Sequence, residues 1–125
     1  MVLDASALIA FLDPSDALHD DAVSCLLALG SRRLFVSPIT HAEILVGPAR
    51  SGTMAVTQAA LRVLGISEVG LPADAAARLA VLRVTTGVKL PDCCVILAAQ
   101  QSKCEVLTFD DRLSAAARDL GLLPR

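Results

Sequence analysis

Short apolar runs alternate along this chain with longer stretches of helical periodicity, and that alternation limits the fold more than any other feature. The strand candidates are Met1–Leu3, Leu34–Ser37, Ser67–Leu71, Glu105–Thr108 and a stub at Leu122–Leu123. Most are continuously apolar, the pattern of parallel strands covered on both faces. The intervening helices carry their own punctuation. Asp13-Pro14 and Ser37-Pro38 each set a capping side chain before a first-turn proline, whereas Leu90-Pro91 has the proline without the cap. Gly65 and Gly121 stand where helices should stop. Apolar residues recur at Met54, Leu61 and Leu64, and again at Leu113, Ala116, Ala117 and Leu120. Such alternation in 125 residues predicts one three-layer α/β/α domain over residues 1–125. Its sheet should be mostly parallel, with four to five strands and right-handed crossovers. Ligands of such sheets bind beyond the carboxyl ends of the strands.

Composition narrows the function classes. A 54% hydrophobic content with 19% charged residues excludes disorder and exceeds what so small a domain can hide, which points to an oligomer or partner interface. Helical faces such as Met54–Leu64 and Leu79–Val84 need cover. Trp and Tyr are absent, so aromatic base-stacking platforms are not expected, and a net charge of −2 argues against a generally basic surface. The opening Met1–Leu12 carries Asp4 and no basic leader, and the later apolar run Cys93–Ala99 is too short to span a bilayer. Cys25, Cys93, Cys94 and Cys104 show no CxxC spacing and read as buried free thiols in a reducing cytoplasm.

The informative residues are carboxylates in apolar surroundings. Asp4 follows Val2-Leu3 and precedes Ala5-Ser6-Ala7-Leu8-Ile9, a strand end entering a helix. Glu43 shares a helical face with Ile39, Ala42 and Val46, where its charge would be desolvated at a cost unless compensated. Asp92 opens an apolar helix after Leu90-Pro91. Asp110 and Asp111 follow Val106-Leu107-Thr108-Phe109, repeating the geometry of Asp4; Asp110, nearer the strand end, is preferred, with Asp111 the secondary candidate. Each has a bland reading as an ion-pair partner, a helix-dipole acid or a cap. Jointly they converge beyond the strand ends, where carboxylates repel unless protonated or neutralised by a cation. An all-oxygen acidic site suits Mg²⁺ or Mn²⁺, which activate water and assist displacement at phosphorus. The denser acids Asp13, Asp16, Asp20 and Asp21 lie opposite the apolar Leu18, Ala22, Leu26 and Leu29 and read as a solvated helix start. His19 and His41 lack a partner histidine and receive no catalytic role.

Four segments in order resemble the PIN-domain ribonucleases, particularly the VapC-type toxins of bacterial toxin–antitoxin pairs. Val2-Leu3-Asp4-Ala5-Ser6-Ala7-Leu8 is similar to the family's opening strand with its Asp-x-Ser, and Ser37–Gly47 to its glutamate helix. Leu90–Ala99 is similar to its third acidic motif and Val106-Leu107-Thr108-Phe109-Asp110 to its closing Thr-x-Asp. The resemblance covers residues 1 to about 123 and implies a PIN fold, an Mg²⁺-dependent (or Mn²⁺-dependent) endoribonuclease and a cognate antitoxin that occludes the site. It further implies that Asp4, Glu43, Asp92 and Asp110 form the acidic site, that Asp4, Asp92 and Asp110 hold metal, and that Ser6 and Thr108 support them by hydrogen bonds. Cys93 and Cys94 depart from the small or aliphatic residues usual there. Arg50, Arg83 and Arg112 could touch phosphates but, as helix arginines, stay outside the expected site.

Two other readings remain. A haloacid-dehalogenase-like phosphatase would use Asp4, Ser37, Lys89, Asp110 and Asp111, but has Ser6 in place of its second acid and no role for Glu43. A non-catalytic receiver-like Mg²⁺ module would need an acidic neighbour for Asp4 and an Asp near Leu71-Pro72-Ala73, and neither is present.

Overall fold

Elements in the computed structural model, which describes residues 1–124, run β1 (Val2–Leu3), α1 (Ala5–Leu12), α2 (His19–Leu29), β2 (Leu34–Val36), α3 (Pro38–Ser51) and α4 (Met54–Val63). They continue with β3 (Ile66–Glu68), α5 (Ala75–Thr86), α6 (Leu90–Ser102), β4 (Val106–Leu107) and α7 (Asp111–Asp119). The sheet order is β3-β2-β1-β4 and every pairing is parallel. Val2 pairs with both Phe35 and Val106, and Leu3 with Leu107. From β1 the chain winds outward through β2 to β3, then returns to place β4 on the other side of β1. The order therefore reverses between β1 and β4, and a crevice opens there at the strand carboxyl ends.

Two cores flank the sheet, as the period-2 alternation of strand side chains requires. Val2 joins Val106, Leu82, Leu113, Ala117, Cys93 and the run Val95–Ala99 on one face. Leu3 joins Met1, Leu8, Val36, Ile44 and Leu61 on the other. This is the expected three-layer α/β/α arrangement. The run Cys93–Ala99 is buried all round, which makes α6 a central helix and fixes where its first turn points.

Several local expectations change. Four strands form among the described residues. Leu122 accepts a hydrogen bond from the Val106 N–H at 2.7 Å, but the stub builds no ladder because Pro124 follows and offers no donor. Asp13-Pro14 does not start a helix. Asp13 is the C-cap of α1, its carboxyl accepts from the Ser15 N–H and hydroxyl, and α2 begins only at His19. By contrast, the Ser37 hydroxyl accepts from the Thr40 N–H at 3.1 Å and caps α3, and α6 starts at Leu90-Pro91 without a side-chain cap. No helix among the described residues is long and apolar enough to cross a membrane. Cys93 and Cys94 are buried free thiols, and burial raises both above the ordinary thiol range, which keeps them protonated.

Candidate functional site

Asp4 sits at the switch point, 3% exposed, as the N-cap of α1. The strand must turn into a helix immediately after Leu3, and the carboxylate satisfies the helix's free N–H groups. Its Oδ1 accepts from the Ala7 N–H at 2.9 Å and from the Ser6 hydroxyl at 2.7 Å. Its Oδ2 accepts from the Thr108 hydroxyl, which reaches across from the end of β4. Both hydroxyls are themselves oriented by backbone donors. The Phe109 N–H donates to Ser6 Oγ and the Asp110 N–H to Thr108 Oγ1, each at 3.0 Å. With Asp4, the Ser6 and Thr108 hydroxyls tie the ends of β1 and β4 together.

Asp110 is the N-cap of α7, with Oδ1 accepting from the Leu113 N–H at 2.8 Å. The sequence reading divided the pair into one site acid and one cap or solvated acid. Asp110 instead caps the helix with one oxygen while its charge bears on both Asp4 and Asp92. Asp111 follows as an exposed first-turn residue of α7. Asp92, half-buried in the first turn of α6, lines a pocket of about 330 Å³ with Lys89, Asp110 and Arg112.

Glu43 reaches the group by a different route from the one expected. Its face of α3 carries Ile39, Ala42 and Val46, all exposed, whereas Thr40 and Ile44 supply the buried side. The face is not a core stripe, and Glu43 is itself exposed along most of its length. Its carboxyl is nonetheless raised, first by partial desolvation and then by Asp92 and Asp4. Those two charges put it on the rim of the acidic crevice.

The electrostatics bind the four residues into one site. Burial raises the Asp4 carboxyl more than its three hydrogen bonds lower it, and Asp110 adds to the rise. Burial, Asp110 and Asp4 raise Asp92, with Lys89 opposing. Asp4, Glu43 and Asp92 are thus each raised first by burial and then by a neighbouring acid, a charge cost that a cation would answer. Among the described residues no three acid, His or Cys side chains gather tightly around one point. Mg²⁺ usually keeps several waters and takes one or two carboxylates beside substrate oxygens, so it does not require three protein ligands at one point. The donor set is all oxygen, so it fits that ion or Mn²⁺.

Two cations stood outside the expected nuclease site: Lys89, given a role only in the phosphatase alternative, and Arg112, set aside as a helix arginine. Both line the Asp92–Asp110 pocket. A single basic residue near a helix start has no spacing pattern to betray it. Arg83 is structural, its guanidinium donating to the Gly87 and Val88 carbonyls at 2.7 and 3.1 Å. The phosphatase reading loses its hydroxyl, because Ser37 is fully buried and hydrogen-bonded to Thr40 at the end of β2, two strands away from β4.

A family model described as PIN domain matches residues 1–119. No curated protein matches the chain in sequence. Among solved structures, a toxin–antitoxin complex from Klebsiella pneumoniae is similar with a TM-score of 0.73 and 27% identity, over 87% of this chain and 85% of that one. The Mycobacterium tuberculosis toxin VapC20, which cleaves the sarcin–ricin loop, has a TM-score of 0.73 and 21% identity, over 92% and 93% of the two chains.

Proposed function

Because the chain belongs to the PIN domain family, we propose that it is a VapC-type endoribonuclease toxin, one PIN domain over residues 1–125, that cleaves RNA through a Mg²⁺- or Mn²⁺-dependent acidic site. The observation that carries this reading is the placement of Asp4 and Asp110 at the β1–β4 switch point of a parallel sheet, with Asp92 lining a pocket beside Asp110 and with burial and neighbouring acids raising Asp4, Glu43 and Asp92. Asp4, Asp92 and Asp110 would hold the ion, which when bound lowers the pKa of water and offsets charge on the phosphate.

The protein's own groups supply the geometry. The Ser6 and Thr108 hydroxyls and the Ala7 N–H hold Asp4 in one rotamer, so its orientation costs nothing at the moment of reaction. Asp110 is held in the same way by Leu113 through Oδ1, which leaves Oδ2 for the crevice. Glu43, whose carboxyl is raised by partial desolvation and by Asp92 and Asp4, would take a proton from water on its carboxylate oxygen as that water attacks phosphorus. Asp111 contributes little.

The protein works in the cytoplasm, under control of a cognate antitoxin like that in the Klebsiella complex. It also forms a homodimer, because Val63 and Val84 are 88% and 84% exposed on α4 and α5 and want cover. The test is cleavage of RNA by protein freed of contaminating nuclease. Activity should vanish in EDTA and return with excess Mg²⁺ or Mn²⁺. Full cleavage in EDTA would refute the mechanism.

A further inference from the structure

Two openings meet at the start of α7. The acidic pocket is lined in part by Gly87, Val88, Lys89 and Arg112. A neighbouring groove of about 430 Å³ shares Gly87, Val88 and Arg112 and continues along Ala116 to Asp119 and Leu120. Arg112 therefore stands on the divide between the two. Gly87 makes the join possible: at φ +74° it ends α5 in the left-handed region and lets the chain turn sharply into α6.

Lys89 and Arg112 share a pocket with Asp92 and Asp110, yet neither forms an ion pair among the described residues. Cations placed to neutralise carboxylates would close onto them. These two remain exposed beside the acids, with their N–H donors free, which is the state a phosphate group needs. From this geometry, and resting on the nuclease reading above, we infer that Lys89 and Arg112 are positioning residues. They hold a phosphate of the RNA strand next to the scissile one as the strand passes from the acidic site into the groove.

The groove also sets the limits of that contact. Its Thr85 and Thr86 hydroxyls already donate to the Val81 and Leu82 carbonyls at 2.9 and 2.6 Å, so they have no proton left for a base edge. Its walls are aliphatic at Val88, Ala116 and Leu120, which offer a ribose or base a surface without a donor code. Asp119 at the far end repels a further phosphate. The contact therefore spans about one nucleotide and is indifferent to its sequence.

The experiment compares Lys89→Gln, Arg112→Gln and Arg112→Lys with Arg118→Gln, which removes the same charge from an exposed position on α7 outside the groove. Short single-stranded oligoribonucleotides serve for cleavage with Mg²⁺ and for fluorescence-anisotropy binding in EDTA, with melting temperature as the folding control. Lys89→Gln and Arg112→Gln should each raise KM and weaken binding about tenfold on every sequence, as expected for one charge-assisted contact, with kcat little changed. Each should also lower the slope of log affinity against log salt by about one. Arg112→Lys should recover part of the loss, and Arg118→Gln should match wild type. Unchanged KM, affinity and salt slope in both Gln variants, with a wild type that binds RNA, would overturn the positioning role and leave the nuclease reading standing. A fall in kcat alone would also overturn it. A wild type that neither binds nor cleaves RNA would overturn both.

Discussion

Replacing Asp4 separates its two duties, because asparagine and alanine remove different things. Asp4→Ala deletes the acceptor for the Ala7 N–H and for the Ser6 and Thr108 hydroxyls. Those hydroxyls lie 3.5 Å apart and can turn toward each other, so the buried N–H and one hydroxyl proton are left without partners. At about 1–3 kcal/mol for each buried group left unsatisfied, and with some return from losing a buried charge, the variant should lose about 2–4 kcal/mol. For a domain of this size that is a fall of roughly 10 °C in melting temperature. Asp4→Asn keeps an oxygen for the Ala7 N–H and the Ser6 hydroxyl, sets a donating amide where Oδ2 accepted from Thr108, so that the Thr108 oxygen accepts instead, and discards the charge that burial and Asp110 oppose. The raised carboxyl of Asp4 means the folded protein binds more protons than the unfolded chain between the ordinary carboxylate value of 3.8 and the raised one. Metal-free wild type should therefore lose stability as pH rises through that window and carry the full penalty above it. Thermal melts in EDTA should show Asp4→Asn at or above wild type at pH 7, with the advantage shrinking as the pH falls toward 4, while RNA cleavage disappears. If Asp4→Asn is as unstable as Asp4→Ala at pH 7, Asp4 is a structural acid and the reasoning fails.

Three further outcomes follow from the same geometry. Asp110→Asn preserves the α7 cap and should cost about 100-fold in cleavage rate, whereas Asp111→Asn should cost little; the reverse ranking would put Asp111 in the crevice. Added Mg²⁺ at a hundred times its dissociation constant should stabilise the wild type by about 2.7 kcal/mol in a thermal shift, and far less in Asp4→Asn or Asp92→Asn; equal shifts would place the ion elsewhere. Light scattering should report a dimer for the isolated protein, and Val63→Glu or Val84→Glu should dissociate it without unfolding it; a wild-type monomer at high concentration would remove the homodimer.

The acids at strand ends were legible because their neighbours gave them away. Asp4 and Asp110 each follow an apolar strand that has just one way to enter the next helix, and both lie at the β1–β4 switch point. Glu43 was singled out for an imperfect reason. Helical spacing grouped it with Ile39, Ala42 and Val46, but spacing cannot say which face a tertiary neighbour covers, and that face is open. Asp13-Pro14 misled because the same two residues serve a turn as readily as a helix start, and the Ser15 hydrogen bonds decide for the turn. Lys89 is the N-cap residue of α6 and Arg112 lies in the first turn of α7, two elements separated by β4, so only the folded sheet brings them to one opening.

The bond from Thr108 to Asp4 joins residues 104 positions apart, which has a consequence for timing. Synthesis runs from the amino end at about 5–20 residues per second, so Asp4 emerges several seconds before the strand that completes its surroundings. Until then β1 lacks its β4 neighbour, and the acidic crevice has one wall. We expect a chain stopped after Cys104 to be inert although it carries Asp4, Glu43 and Asp92, and cleavage by that fragment would contradict this. On the nuclease reading proposed above, a ribosome making the protein would therefore meet a complete acidic crevice only after β4 has emerged.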